Sequence, residues 1–337
     1  MNRASKTLAA LGAAALLLGV SACGGGSTNA EAESPASASS DKKLTIAFVM
    51  GAVGDPFFKA MKVGAEEAAR EENVNLEWQG SDTEYSPQTQ IPFVDAVLAK
   101  KIDGLVLIPT DPDALQPSVA KAKSLNIPVI TVDTTVNDRT DVSAFITGDN
   151  EDGGAKAADA LAAAMKYADG KTYKVAVGSS SATTTTGIGR MKGFESQIAA
   201  KYPGIKIVDK AYSQSKPEVA NTNVNNWLTK YPDLAGIFAI DGTNATGAAS
   251  ALQAKNLVGK VALIGYDAYK ENVDLLKQGI FTAMIAQDPA QEAKLAIKAM
   301  VSQIKTGKTG IEKEVVIPNV TMTQENLGET EKYTYVE

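Results

Sequence analysis

Three aspartates close three apolar runs: Asp133 ends "PVITVD", Asp241 ends "AGIFAID" and Asp267 ends "VALIGYD". Runs of this kind, rich in β-branched residues, read as strands buried on both faces, as in parallel sheets. A carboxylate at such a strand end is costly to bury unless something pairs with it. In open α/β sheets, ligands bind beyond the carboxyl ends of the strands, where all three acids fall. Acids converging on one cleft would act as bidentate acceptors for a hydroxyl-rich ligand, or as the acid and base of a hydrolase. The structural alternative is that each caps the following helix or stabilises a turn.

The elements that must position these acids follow an alternating rhythm. "LTIAFVM" reads as a strand and Pro56 to about Glu72 as a helix, then "VNLEWQ" and a helix from Gln88 to Lys101. "GLVLIP" leads into a helix from about Asp113 to Leu125. Polar residues and glycines interrupt the rhythm between Phe145 and Gly154, after which it restarts with a helix over Gly153 to Tyr167. Strand "YKVAVG", helix Gly189 to Lys201, strand "IKIVDKAY" and helix Pro217 to Lys230 follow. A helix from Ala245 to Lys255 and a last long one from Pro289 to Lys305 complete the series. This is the pattern of βαβ units. The span Gly104 to Asp133 matches Gly236 to Asp267 in layout: a glycine opens a strand, a helix follows, and a second strand ends at an acid. Two lobes of similar construction are the simplest reading.

The 337 residues are too many for one ordinary core. A net charge of −6 argues against nucleic acid as a partner, and the absence of histidine removes the commonest general base and metal ligand. One cysteine excludes an intramolecular disulfide and a thiolate zinc cluster. No cofactor motif is found. "GSSSATTTTGIGR" lacks the lysine of a phosphate loop and reads as a polar loop facing the cleft. Trp78 could line the cleft or pack in the core, and Trp227 reads as core.

The N-terminus carries Arg3 and Lys6, then an apolar run from Thr7 to Val20 that is short for a membrane span. "VSACGGGS" resembles the lipobox of bacterial lipoproteins, which implies cleavage before Cys23 and a diacylglyceryl group on its sulfur. Residues 24–40 have almost no large apolar side chains and read as a disordered tether.

"GDPFFKAMKVGAEEAA", "PTDPDA", "IPVITVD", "IFAIDGTNATGAASAL", "IGYDA" and "MIAQDP" together resemble the ribose-type sugar-binding proteins of ABC importers. The likeness runs from Leu44 to about Lys305. It implies an α/β architecture of two doubly wound parallel-sheet lobes joined by a three-strand hinge, the type I periplasmic-binding-protein fold. The implied division is a signal peptide over 1–22 and a lipidated cysteine with tether over 23–41. The first lobe takes 42–148 with 288–315, and the second 149–287 with 316–337. By the resemblance, Asp55, Phe57, Phe58, Asp133, Asp241, Asp267 and Gln287 bind the ligand; further candidates are Asp111, Thr134, Arg190 and Asn244. Asp55 followed by Pro56 has the form of a helix cap, which puts Phe57 and Phe58 in the first helical turn at the cleft mouth.

Departures from ribose binders are specific. Thr134 and Ile188 stand where the family has arginines, and Ile108 where it has an asparagine. The expected cleft is therefore acid-rich and arginine-poor, with Arg190 serving either ligand or structure. Such a cleft suits a neutral polyol, another pentose or hexose, or an amine-bearing ligand. The implied function is capture of a small sugar or polyol and its delivery to an ABC permease by a monomeric, lipid-anchored extracytoplasmic protein. The rivals are a sensor presenting its ligand to a membrane receptor and a secreted carbohydrate-active enzyme.

Overall fold

The computed structural model describes residues 43–336. The expected signal peptide, Cys23 and the expected tether lie outside the described residues. Strands β1 (Thr45–Ala52), β2 (Asn75–Ser81), β3 (Gly104–Leu107), β4 (Val129–Val132) and β5 (Val142–Gly148) alternate with helices α1 (Pro56–Glu71), α2 (Pro87–Ala99) and α3 (Gln116–Ser124). Helix α4 (Asn150–Ala164) opens a second series. It continues through β6 (Tyr173–Ser179), α5 (Thr185–Lys201), β7 (Ile205–Tyr212), α6 (Pro217–Lys230), β8 (Leu234–Ala239), α7 (Gly242–Ala254), β9 (Ala262–Tyr266), α8 (Lys270–Lys277) and β10 (Ala283–Ala286). Then come α9 (Pro289–Thr306), β11 (Glu314–Ile317), β12 (Val320–Met322), α10 (Leu327–Thr330) and a single 3₁₀ turn.

The strands form two six-stranded sheets, ordered β2-β1-β3-β4-β5-β11 and β7-β6-β8-β9-β10-β12. The winding is the same in both, which the internal repeat anticipates. All pairings are parallel except that of β12 with β10. β3 and β4 are buried throughout, the reason their sequences are unbroken apolar runs. The chain crosses between sheets three times: from β5 to α4, from β10 to α9, and from β11 to β12. β11 stays in the first sheet through Ile317, which pairs with Gly148, so the expected lobe boundary after 315 cuts this strand.

Several helices begin earlier or later than periodicity suggests, and caps are the cause. Asp111 accepts hydrogen bonds from the amides of Asp113 and Ala114, so a turn forms there and α3 starts only at Gln116. Asp149 accepts from the Asp152 amide and Asp241 from the Asn244 amide, starting α4 and α7 about a turn ahead of their apolar residues. The polar interruption over Phe145–Gly154 is thus the end of β5 joined to the first turn of α4. One close approach bears on the site: a Cβ at Gly154 would run into the Arg190 carbonyl, and one at Gly193 into that of Glu151. Only glycine lets α4 and α5 cross this closely.

Candidate functional site

The two sheets present their carboxyl ends to one cavity of about 560 Å³, its open mouth included. Asp55, Phe57, Phe58, Asp133, Asp241, Asp267, Gln287 and Arg190 all line it. The end of β6, the polar loop after it and the first turn of α5 contribute Ser179, Ser180, Thr184 and Thr186 to the wall.

On the first lobe, Asp55 caps α1: its Oδ1 accepts the Phe57 amide at 2.8 Å, with Pro56 at the first helical position. Phe57 and Phe58 then both face the cavity, edge to face with ring centroids 5.3 Å apart, and Phe58 stacks on Tyr85. This makes an apolar aromatic wall.

Asp133 and Asp267 occupy equivalent places at the ends of β4 and β9. Both take left-handed backbone conformations, φ 60° and 67°, and each donates its amide to the next strand, to the Ile146 and Ile285 carbonyls at 2.8 Å. Aspartate is among the few side chains that tolerate this region, and residues so strained cluster at functional sites.

Counting lone pairs separates the four carboxylates, each with about four acceptor positions. Asp241 is filled: Ser180 and Asn244 amides and the Asn244 side-chain amide donate to it at 2.8–2.9 Å. Its helix-capping role is therefore realised even though it lines the wall. Asp267 accepts Gln287 Nε2 and the Tyr335 hydroxyl on Oδ1, and the Gly242 amide on Oδ2. Asp55 uses Oδ1 for Phe57 and for the Tyr269 hydroxyl at 2.5 Å, and among the described residues nothing donates to its Oδ2. The Asp133 carboxylate accepts no hydrogen bond among the described residues, although only 7% of the residue is exposed.

Burial pushes the Asp133 carboxyl up to about 7; Arg190 pulls the other way, and Asp267 and Asp55 add to the rise. Burial likewise raises Asp55 to about 6, opposed by the Tyr269 and Phe57 hydrogen bonds. Asp241 also shifts upward through burial. Behind the wall, Glu292 is fully buried, and among the described residues neither of its carboxyl oxygens has a hydrogen-bond partner. Burial, and after it the Asp133 charge, raise its pKa well above the usual value.

Arg190, the candidate that could serve either ligand or structure, lines the cavity alongside the four aspartates. Its guanidinium lies 3.8 Å from the centroid of the Tyr266 ring, with Nε donating to Asn150 Oδ1 at 2.8 Å and Nη1 to the Ile240 carbonyl at 3.0 Å. Burial works against the charge, but Tyr266, Asp267, Asp133 and Asp241 outweigh it and raise the pKa further. Ile188 is 53% exposed and points away.

The remaining candidates sit outside the cavity wall. Trp78 packs on Phe48, ring centroids 4.6 Å apart. Thr134 donates to the Pro109 carbonyl, and Asn244 is held by Asp241 and Ser213. Asp111 reaches the other lobe instead, accepting the Thr183 hydroxyl at 3.0 Å. With the Tyr269–Asp55 bond and the Lys216–Glu84 pair at 3.6 Å, it holds the lobes closed over the cavity. Sequence reading missed Tyr85, Ser215, Thr243 and Tyr269 in the wall and Tyr335 behind it. Thr243 stands two residues after Asp241, in the first turn of α7 and inside a run already quoted, so a signal for it existed; loops carry Tyr85, Ser215, Tyr269 and Tyr335, which lie in no recognisable pattern.

Paired doubly wound lobes enclosing an acid-lined cavity define a hinged ligand-binding protein. Residues 46–309 match the periplasmic binding protein domain family, and the chain belongs to it. It is 27% identical to the xylitol-binding protein of Mycolicibacterium smegmatis over 95% of this chain and 87% of that one. It is 29% identical to the ribose import binding protein of Bacillus subtilis, over 86% and 90% respectively. Among solved structures, an ABC transporter solute-binding protein from Agrobacterium vitis bound with α-D-tagatopyranose superposes with a TM-score of 0.82. It shares 30% identity and is covered in full by 88% of this chain. The architecture is thus the type I fold of the ribose-type binding proteins of ABC importers.

Proposed function

We propose that this protein captures a neutral sugar or polyol between its lobes and delivers it to an ABC permease. The observation that carries this reading is the Asp133 carboxylate, buried, unpartnered and turned into a cavity that also holds the Arg190 guanidinium. A hydroxyl both donates and accepts, so a diol can give its protons to Asp133 and take hydrogen bonds from Arg190. Asp55 Oδ2 and the open position on Asp267 Oδ2 take further hydroxyl protons. Phe57 and Phe58 cover a C–H face of the ligand. Each hydrogen bond to a charged group contributes roughly 1.5–3 kcal/mol, so a few suffice for micromolar affinity, about −8 kcal/mol.

Ligand enters an open form on one lobe and the other closes over it, which presents a new surface to the permease. The remaining parts of the reading rest on the N-terminal sequence. Cys23 carries the lipid that holds the protein on the outer face of the cell membrane, and residues 24–40 act as the leash. Mass spectrometry of membrane-extracted protein should find a diacylglyceryl group on Cys23; a free thiol there would remove the anchor.

Thermal unfolding against xylitol, D-ribose, D-allose, D-tagatose, D-arabinose and amino sugars tests the binding function. A ligand at a hundred times its Kd stabilises by about 2.7 kcal/mol, a shift of several degrees. No shift with any of them would overturn the sugar reading.

A further inference from the structure

The segment after β12 lies beyond the residues matched by the periplasmic binding protein family, yet one of its side chains reaches the back of the cavity wall. Tyr335 is buried, 4% exposed. Its amide donates to the Ala268 carbonyl at 2.9 Å, which extends the chain alongside the turn that follows Asp267. Its hydroxyl donates to Asp267 Oδ1 at 3.0 Å, and its ring packs on Phe57 of the first lobe (5.9 Å between centroids) and on Tyr269 of the second (6.0 Å).

We propose that Tyr335 is a positioning residue of the binding site, fixing the Asp267 carboxylate from behind while its ring spans both lobes. This rests on the function proposed above and adds to it an element outside the matched family region.

Asp267 sits on a left-handed backbone with two side-chain rotors, so its orientation must be set by partners. Three donors converge on it: Gln287 and Tyr335 on Oδ1, and the Gly242 amide on Oδ2. The two side-chain donors occupy Oδ1 and turn Oδ2, the oxygen with an acceptor position to spare, to the start of α7 at the cavity edge. Tyr335 also touches the first lobe, through the Phe57 ring. Burial, then the Asp267 charge, raise the phenol's pKa well above the usual tyrosine value, so it remains a donor.

The test is Tyr335→Phe, which deletes the hydroxyl and retains the ring between Phe57 and Tyr269. Two readouts are needed. The first is amide hydrogen exchange at Gly242 in the sugar-free protein, since that amide is held by Asp267 itself. Exchange is expected to rise about tenfold, on the scale of one lost hydrogen bond to a charged group. The second is calorimetric titration with whichever sugar of the panel binds most tightly. Y335F should weaken it about tenfold, and in an Asp267→Asn background the same change should have no further effect. Unchanged Gly242 exchange overturns the proposal whatever the sugars do. So does a Y335F effect on affinity of equal size in both backgrounds, because the phenol would then act independently of Asp267. If Gly242 exchange rises but no sugar binds wild type, the anchor stands and the sugar reading fails.

Discussion

Replacing Asp133 by asparagine should weaken ligand binding and stabilise the empty protein at the same time. Asparagine is nearly isosteric and tolerates the left-handed backbone, φ 60°, so the fold is kept. In the empty protein the carboxylate is buried without a hydrogen bond, and its pKa of about 7 stands against 3.8 for an exposed aspartate. That difference corresponds to roughly 4 kcal/mol of unfavourable energy when the group is charged. Between about pH 4 and 7 the folded protein holds this proton and the unfolded chain does not. Stability therefore falls as pH rises across that window and levels off above it. An asparagine removes the charge and leaves a buried amide, whose own desolvation reclaims about half, for a net gain of about 2 kcal/mol at pH 8. With ligand the balance reverses. Two charge-assisted hydrogen bonds become at most one neutral acceptor, a loss of about 2–4 kcal/mol, or roughly 30- to 1,000-fold in Kd. The assay is a Tm profile from pH 4 to 9 for wild type and D133N without ligand, followed by calorimetry with the sugar identified from the panel. An empty D133N no more stable than wild type at pH 8, or a Kd within threefold, would refute the assignment.

Arg190→Lys should weaken binding at least tenfold by calorimetry, because an ammonium cannot keep the Asn150 and Ile240 bonds while lying flat on Tyr266. A Kd within threefold would return Arg190 to a structural role. Tyr269→Phe removes the bond to Asp55 that joins the lobes, and should favour the open form by about 1.5–3 kcal/mol. Small-angle scattering should then report a larger radius of gyration for the empty protein; an unchanged radius counts against a closing role. Gly148→Ala places a Cβ 2.7 Å from Gln287 Oε1 and 3.0 Å from Asn319 Oδ1 at the crossing between lobes. It should destabilise by about 1–3 kcal/mol, and an unaltered Tm would show that the crossing can yield.

What the sequence made legible was whatever strand ends and caps encode. The apolar runs that end in Asp133, Asp241 and Asp267 located three acids of one cavity, and Asp55 before Pro56 located the aromatic turn. Hydrophobic pattern cannot say how many of an acid's lone pairs the protein itself consumes, so Asp241 and Asp133 looked alike in sequence. Arg190 was obscured by helical phase: Ile188, two residues earlier, lies about 200° away and faces solvent, and only the close α4–α5 crossing shows which side is the cavity. Strands β5 and β10 were hidden too. In β10 four residues do all the pairing, and in β5 the polar cap of α4 follows without a break. Tyr335 belongs to no repeat at all.

The matched left-handed aspartates have a consequence for how selectivity can evolve. Asp133 and Asp267 relate the two lobes by an approximate internal symmetry, but no pentose or hexose has a matching twofold axis. Discrimination among such ligands must come from groups without a counterpart across the cleft: the Phe57–Phe58 wall on one side, Arg190 on the other, and Tyr335 bearing on only one of the two acids. Altering these handed elements should retune which polyol is accepted, while the aspartate pair sets how strongly any polyol is held.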